Sequence, residues 1–459
     1  MKNLKLTSLT FIGVFFTIGL AGFSLMSCNR TDRQQDGLIT LSFWHSMAEQ
    51  PGILFNTFVR EFNEGIGAEK GIVVEAIFQG QYADATAKLR PLLHTRRTAA
   101  MPDIMQMDAT GVVDFLNSDL AWTVDDALAR DRDFDLSQIV EAPLRAWNYG
   151  GRQLGLPVSA STTIMYYNRS ILDAAGISAP PTTFDEIIEI SQRLPRVNVN
   201  NQRLTAYAQQ PHTPNIANWI GQMPGQGGVN ASYLVDNRNG RDGIATRLVA
   251  DTESTLLTFL RAWQNMYDAG AILNVSDGLT NLFLTQQIVF FTSSSAHLTN
   301  LRDQIDGRFE LGTAFFPRVH ENSNFGATVS GSALFMFNRG NPARTDAAWE
   351  FVKFMTSADI QARLAAATGY IPVNYGAKEQ QIYIDHVAGF PQAATGLAQL
   401  EVTSPDMLGV IVGPSRNFFF ELINQVSTML EQRRTPEETV TNMARALNLL
   451  LHDFYEANR

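Results

Sequence analysis

The order of strand-like and helix-like segments constrains the fold of this chain more than any other sequence feature. Short apolar stretches typical of strands lie at 39–43, 72–78 and 104–107. Between them, helical segments are predicted at 51–64, where apolar residues recur at helical spacing, and at 83–90. The order strand, helix, strand, helix, strand favours a parallel α/β sheet with right-handed crossovers.

The loops that follow these strands are candidate binding residues, because ligands of such sheets bind beyond the carboxyl ends of the strands. The loops at 44–45, 79–82 and 108–111 are polar or aromatic. Tyr82 carries both an aromatic face and a hydroxyl, which suits a polyol. Asp108 either accepts hydrogen bonds from ligand hydroxyls or caps a helix, and the two roles are compatible.

The N-terminus has the three parts of a secretory signal: two early lysines, an uncharged apolar run at 9–25, and small residues before a cleavage point. The run is also just long enough to be an uncleaved membrane anchor. Cys28, the single cysteine of the 459 residues, follows Leu-Met-Ser and resembles the acylated cysteine of a bacterial lipobox. We therefore predict a lipoprotein signal peptide at 1–27.

Residues 28–37 are polar and without apolar periodicity, which predicts a flexible tether. Two or three acyl chains on Cys28 hold a protein on a membrane more firmly than one chain does. The mature protein is thus expected to be a soluble body that is lipid-anchored to a bacterial membrane, in the periplasm or otherwise outside the cytoplasm.

Composition and motifs exclude several classes of function. A formal net charge of −10 argues against nucleic acid, since phosphate contact needs a basic face. The seven histidines lack zinc spacing, and no Gly-x-Ser-x-Gly elbow occurs. We expect no catalytic residue, metal or cofactor. The length is ample for two domains, and we expect a monomer.

Three extended segments, at 154–168, 324–331 and 370–374, suit connections between two domains. Helix starts in the later chain are marked by two capping boxes, Thr183 with Glu186 and Thr435 with Glu438. A strand at 288–291 runs into a Thr/Ser tract that either caps the next helix or offers N–H groups and hydroxyls to a phosphate.

Several short motifs occur in the order found in one protein family. They are Phe-Trp-His-Ser-Met at 43–47, Gly-Gln-Tyr at 80–82, Tyr-Tyr-Asn at 166–168 and Thr-Gly-Tyr-Ile-Pro at 368–372. In these motifs the chain resembles the solute-binding proteins of ABC importers, and most of all the members that take glycerol 3-phosphate. The resemblance covers nearly the whole chain after the tether.

The resemblance implies an α/β fold of two lobes, like the periplasmic binding proteins, with three inter-lobe crossings. The first lobe would comprise 38–157 and 327–370, and the second 158–326 and 371–459. It further implies these ligand-facing residues: Tyr82, Asp108, Ser161, one or both of Ser294 and Ser295, Gly331 and Tyr370.

Two departures from the family pattern concern the ligand. Where the related members carry a phosphate-binding arginine in a Gly-x-Arg-x-Gly segment, this chain has Ile411, and Arg416 nearby is a candidate replacement. The related members also have two tryptophans against the ligand, but residues 207–218 contain none. Both changes favour a ligand other than glycerol 3-phosphate itself.

The predicted function is capture of glycerol 3-phosphate or a glycerophosphodiester for import, with binding of a neutral mono- or oligosaccharide as the alternative. The expected partners are this solute, the permease subunits of the importer and the membrane that holds the lipid. The lobes would close on the solute without making or breaking a bond. An enzyme or a surface adhesin is disfavoured.

Overall fold

The structure is a computed structural model that describes residues 37–198, 200–209, 213–225, 231–275 and 277–458. The predicted signal peptide and Cys28, the predicted acylation site, lie outside the described residues, as does the predicted tether apart from Gly37. The strands are β1 (Ile39–His45), β2 (Ile72–Phe78), β3 (Ile104–Met107), β4 (Ala121–Trp122), β5 (Asn148–Tyr149), β6 (Arg152–Gln153), β7 (Leu156–Asn168), β8 (Thr205–Gln209), β9 (Ile272–Asn274), β10 (Ile288–Ser294), β11 (Leu311–Ala314) and β12 (Val329–Phe337).

The α-helices are α1 (Glu49–Glu64), α2 (Ile66–Lys70), α3 (Tyr82–His94), α4 (Val112–Leu116), α5 (Val124–Leu128), α6 (Glu141–Ala146), α7 (Arg169–Ala174), α8 (Phe184–Arg193), α9 (Thr213–Gly221), α10 (Asp236–Gly240), α11 (Thr255–Asp268), α12 (Leu279–Leu284), α13 (Leu298–Ile305), α14 (Pro342–Met355), α15 (Ala358–Ala367), α16 (Gln381–Gly389), α17 (Thr395–Val402), α18 (Ser415–Glu431) and α19 (Pro436–Asn458). Short 3₁₀ helices lie at Thr98–Ala100, Ala109–Gly111, Leu136–Gln138, Ser295–His297, Tyr375–Glu379 and Pro391–Ala394.

The main sheet has the strand order β2-β1-β3-β12-β7-β10-β8-β9. Strand β1 lies between β2 and β3 and is parallel to both, so the predicted parallel unit is present. Strand β12 adjoins β3 in the antiparallel sense. The sheet is therefore mixed rather than wholly parallel. Strand β12 comes from a later part of the chain and is not connected to β3 by a strand–helix–strand crossover.

Strand β7 joins the two halves of this sheet and is buried along its whole length. Its first part, Leu156 to Thr162, pairs with β12, and residues 163–167 pair with β10. The apolar core divides at the same place: Leu156 packs in the core around β1, and Met165 packs in a second core with α11 and α18. We call the part around β1–β3 the first lobe and the part around β8–β10 the second lobe.

The three segments predicted to cross between lobes lie side by side. Ser330 of β12 is opposite Ser161 of β7. On the other side of β7, the backbone N–H of Ile371 donates to the carbonyl of Ala160 over 2.7 Å. The extended backbone that links the lobes thus forms a narrow three-segment ribbon. The domain limits given above stay a prediction.

Local signals located the helix starts well. The Thr183 hydroxyl accepts from the backbone N–H of Glu186 over 3.2 Å, and Thr435 and Glu438 bond to each other's backbone N–H groups. Helix α3 is longer than predicted and continues through Pro91 to His94. A proline removes one helical hydrogen bond but does not by itself end a helix whose other contacts persist. Within the ranges described, no helix combines the length and apolar character that a bilayer crossing requires.

Candidate functional site

A cavity of about 370 Å³ lies between the two lobes, against the ribbon of crossing segments. Its volume falls in the range of small-molecule sites, roughly 300–1,000 Å³. The side chains and backbone that line it come from both lobes and from the crossings: Tyr82, Asp108, Ala109, Ala146, Trp147, Ser161, Ala217, Arg241, Ser294, Ala296, Thr328, Val329, Ser330, Gly331, Tyr370, Gly409, Val410 and Phe419.

Tyr82 begins α3 on the first-lobe side of the cavity, and a buried polar network holds its hydroxyl. The amide of Gln106 donates to the Tyr82 hydroxyl over 3.2 Å and to the Ser332 hydroxyl over 2.7 Å. Ser332 in turn shares a hydrogen bond of 2.7 Å with Ser159. Burial raises the pKa of Tyr82, and the nearby Tyr370 and Asp108 add to the effect. Tyr82 is therefore a neutral phenol held in one orientation.

Tyr370 comes to the same cavity from the crossing that follows α15. Burial raises the pKa of its phenol, and its backbone N–H donates to the hydroxyl of Thr368 over 3.1 Å. The preceding residue is Gly369, and the chain passes close to the second lobe here. A Cβ at Gly369 would lie 2.3 Å from the carbonyl oxygen of Ser295, so a side chain would not fit. This close passage fixes the place from which Tyr370 enters the cavity.

The base of the cavity is the pair of strands β7 and β12. Ser161 is buried and lines the cavity, and Gly331 lies opposite Ala160. Gly331 has φ of 127°, and a Cβ there would lie 2.1 Å from the carbonyl oxygen of Ser159. Glycine thus allows β12 to approach β7 closely at the base of the cavity.

Two adjacent serines that the resemblance implied as ligand contacts have different surroundings. Ser294 lines the cavity, and its hydroxyl accepts from the N–H of Ala296 at the start of a 3₁₀ turn. Ser295 does not line it: this side chain is buried, and its hydroxyl accepts from the N–H of Thr162 over 3.3 Å. Of the pair, the cavity includes Ser294.

Arg416 does not reach the cavity. It is exposed in the first turn of α18 and is absent from the lining residues, whereas Phe419 of the same helix is among them. Ile411, at the position of the family's arginine, packs into the apolar core of the first lobe. The cavity therefore gathers six of the eight predicted residues: Tyr82, Asp108, Ser161, Ser294, Gly331 and Tyr370.

Asp108 lines the cavity and immediately precedes the short 3₁₀ turn that leads into α4. Gly111 is the N-cap residue of α4, and a short 3₁₀ turn at Ala109–Gly111 lies between. In that turn the backbone carbonyl of Asp108 accepts from the N–H of Gly111 over 3.3 Å.

Arg241 is a lining residue that the sequence interpretation missed. Its side chain is buried, with 6% of its surface exposed. The Nε–H donates to the carbonyl of Gly409 over 3.1 Å, and an Nη1–H donates to the carbonyl of Ala146. Burial lowers the pKa of Arg241 to about 10, with a smaller effect from Arg238. The guanidinium is therefore still charged at neutral pH.

Trp147 and Phe419 add aromatic surface that sequence analysis also did not assign to the site. Trp147 follows α6 and packs edge-on against Phe335, with ring centroids 5.8 Å apart. A tryptophan thus faces the cavity even though residues 207–218 have none. Neither residue belongs to a recognisable motif, so no local signal pointed to them.

The site combines a carboxylate, a guanidinium, two phenols, several hydroxyls and aromatic faces between two lobes. The described residues contain no group of three or more His, Cys, Asp or Glu that could hold a metal ion. Such a cavity suits hydrogen bonding and stacking with a small polar molecule. Fold and site together define a two-lobed binding protein for a small solute.

The chain belongs to the bacterial extracellular solute-binding proteins, whose family model matches residues 57–392. It is 22% identical over 431 residues to the sn-glycerol-3-phosphate-binding periplasmic protein of Yersinia enterocolitica, covering 91% of this chain and 94% of that protein.

Two solved structures show the same fold. The glycerophosphocholine complex of a Mycobacterium tuberculosis protein has 19% identity and a TM-score of 0.69, covering 91% of this chain and 100% of that one. The cyclic alpha-maltosyl-1,6-maltose binding protein of Arthrobacter globiformis has 19% identity, a TM-score of 0.73 and the same coverage.

These similarities confirm the predicted family and the two-lobed α/β fold. The chain is a solute-binding protein of an ABC importer rather than an enzyme, and its family acts outside the cytoplasm. Members bind small solutes and deliver them to the permease, so the cavity between the lobes is the candidate solute site.

Proposed function

We propose that this protein captures glycerol 3-phosphate or a glycerophosphodiester outside the cytoplasm and delivers it to its importer. The observation that carries the proposal is a buried guanidinium, Arg241, on the wall of a cavity otherwise rich in hydroxyls. A phosphate ester of glycerol offers an anion for the guanidinium and hydroxyl groups for Tyr82, Ser161 and Ser294. The relatives that bind glycerol 3-phosphate or glycerophosphocholine support this ligand class.

A neutral mono- or oligosaccharide is the second candidate. Trp147, Tyr370 and Phe419 present aromatic surface to the cavity, and aromatic faces stack on sugar rings. The Arthrobacter maltosyl-maltose binding protein shares the fold. The buried charge of Arg241 favours the phosphate ester, because a neutral sugar would leave that charge without an anion.

The proposal also includes a lipid anchor on Cys28, supported by the basic, apolar and Leu-Met-Ser-Cys segments of the N-terminus. Mass spectrometry of the mature N-terminal peptide tests it directly. We expect cleavage before Cys28 and acyl chains on this residue. A mature chain that retains residues 1–27, or an unmodified Cys28, would contradict the anchor.

A thermal-shift panel tests the solute class. The mature protein is heated with sn-glycerol 3-phosphate, glycerophosphocholine, glycerol, maltose and maltotriose. A ligand at about 100 times its Kd stabilises the folded state by about 2.7 kcal/mol, which raises Tm. We expect one or both phosphate esters to raise Tm and glycerol to leave it unchanged. A response to sugars alone would overturn the proposal in favour of the second candidate.

Variants of the two tyrosines test the location of the site. Calorimetry with the phosphate ester that binds is expected to show about tenfold weaker binding for Tyr82→Phe, which keeps the ring and loses one hydrogen bond. Tyr370→Ala, which also removes the stacking face, should weaken binding more. Tyr267→Phe on α11, whose side chain is exposed and does not line the cavity, is the control. Wild-type affinity in both site variants would place the solute elsewhere.

A further inference from the structure

Arg241 differs from other arginines that line cavities in this protein. A second cavity, of about 490 Å³, is lined by Arg90 and Arg96. There Arg90 forms a salt bridge of 2.8 Å with Asp114, and Arg96 pairs with Asp119. Those guanidinium charges are already neutralised by carboxylates. Arg241 has no carboxylate within salt-bridge distance among the residues that the structure describes.

The hydrogen bonds of Arg241 leave part of its guanidinium free for a ligand. A guanidinium has five N–H donors in a planar fork. The Nε–H and one Nη1–H donate to backbone carbonyls, those of Gly409 and Ala146. Neither acceptor carries a charge, so these two hydrogen bonds do not neutralise the guanidinium. The remaining N–H groups have no acceptor within the described part of the chain, and the side chain lines the cavity.

The backbone just before Arg241 is in an uncommon conformation. Three successive residues within the segment given above as α10 are left-handed rather than α-helical: Asn237, Arg238 and Asn239 have φ between 51° and 58°. Asparagine adopts left-handed backbone more readily than most residues, so the conformational cost falls mainly on Arg238. The Asn239 amide holds the turn in place, accepting from the N–H of Leu234 over 2.7 Å and donating to the carbonyl of Leu408 over 2.8 Å. Strained backbone of this kind concentrates at functional sites.

Arg241 also contacts both sides of the cleft. Leu234 and Val235, which precede it, pack in the core of the second lobe. Its Nη1–H reaches the carbonyl of Ala146 next to Trp147 of the first lobe, and its own carbonyl accepts from the N–H of Gly150 over 2.9 Å. An anion at this guanidinium therefore binds where the two lobes meet.

We propose that Arg241 is the residue that selects and holds the anionic group of the solute, a phosphate ester, at the junction of the lobes. The inference rests on the function proposed above. In this chain the guanidinium of Arg241, which follows the left-handed turn, lies beside Gly409. Ile411, at the position of the family's arginine, packs in the apolar core instead. A buried charge without a carboxylate gains most from an anion that accepts two parallel N–H bonds, as a phosphate does.

The test compares Arg241→Gln and Arg241→Lys with wild type by calorimetry, using sn-glycerol 3-phosphate and glycerophosphocholine. The matched control is Arg238→Gln, three residues earlier, which removes a half-exposed arginine that pairs with Asp242 and does not line the cavity. We expect Kd to rise about 100-fold in Arg241→Gln, which corresponds to about 2.7 kcal/mol. Arg241→Lys keeps the positive charge but loses the planar array of N–H donors, so its Kd should rise about tenfold. The control should stay within about twofold.

The outcomes separate this inference from the proposed function. Phosphate-ester binding by wild type with unchanged Kd in Arg241→Gln would overturn the role of Arg241 alone. Binding of maltose but of neither phosphate ester by wild type would overturn the proposed function and this inference with it.

A crystal structure of the wild-type complex with sn-glycerol 3-phosphate gives a readout that does not depend on variant folding. Phosphate oxygens about 3 Å from the guanidinium support the inference, and a phosphate bound elsewhere contradicts it.

Discussion

At the scale of single residues, burial shifts the pKa values of two tyrosines in the cavity and of one histidine in the core. Burial raises the pKa of Tyr82 and of Tyr370 further above the usual 10.0, so both phenols remain neutral hydrogen-bonding groups even in alkaline solution. His45, at the end of β1, is buried next to Phe43 and Phe55. Burial lowers the pKa of His45 from its usual 6.5, because the charged imidazolium is poorly solvated there.

The His45 shift predicts acid sensitivity of the folded state. Below pH 6.5 the unfolded chain binds a proton at this position more readily than the folded one, so stability falls as pH falls. Urea unfolding of wild type and His45→Asn at pH 7.5, 6.5 and 5.5 measures the effect. We expect wild type to lose up to about 1.4 kcal/mol more per pH unit than the variant over this interval. Parallel pH profiles for the two proteins would contradict the assignment.

At the scale of elements, the ribbon of crossing segments depends on close backbone approach. Strand β12 can pair with β7 at Gly331 only because this residue has no Cβ, since one would lie 2.1 Å from the Ser159 carbonyl oxygen. The same approach aligns Ser330 with Ser161 on the cavity floor. A change at Gly331 therefore affects the fold and the site together.

The replacement Gly331→Ala should separate β7 from β12 and destabilise the protein by at least about 3 kcal/mol. Gly340→Ala is a matched control, because Gly340 also has a positive φ, 85°, but a Cβ at this residue would have no neighbouring atom within 4 Å. The control carries only the cost of the backbone conformation, roughly 1–2 kcal/mol. Denaturant unfolding measures both variants, and equal losses would show that close approach is not the cause.

At the scale of the whole molecule, the two cores are separate while the chain passes between them along a ribbon. Such a connection lets the lobes rotate through small φ/ψ changes in the crossings. A solute that contacts both lobes favours the closed arrangement by the difference in its affinity for the two states. Tyr82 and Trp147 of the first lobe and Phe419 of the second line the cavity, so under the proposed function they would make those contacts.

Closure predicts that a bound solute makes the molecule more compact. Small-angle X-ray scattering of the mature protein, with and without a phosphate ester at saturation, should show a smaller radius of gyration in the complex. Glycerol at the same concentration is the control and should leave the radius unchanged. An unchanged radius with a solute that calorimetry shows to be bound would mean that these lobes do not move.

The sequence by itself determined the elements whose signals are local. The periodicity at 39–107 predicted β1, β2 and β3 with their intervening helices, and the capping boxes at Thr183 and Thr435 gave the starts of α8 and α19. The family resemblance implied six of the residues that line the cavity, and two of them, Tyr82 and Tyr370, lie within the quoted motifs. The strands β8 and β9 were not predicted.

Only the tertiary structure decided which side chains meet in the cleft. Arg241 contacts Ala146 and Gly409, which are far from it in sequence, and no local pattern encodes such a meeting. Ser294 and Ser295 are neighbours, yet Ser294 lines the cavity and the hydroxyl of Ser295 accepts from the N–H of Thr162. The difference arises because β10 ends at Ser294 and the chain turns into a 3₁₀ helix at Ser295. Periodicity determines where an element lies along the chain, whereas packing between distant segments determines which of its residues line the cavity.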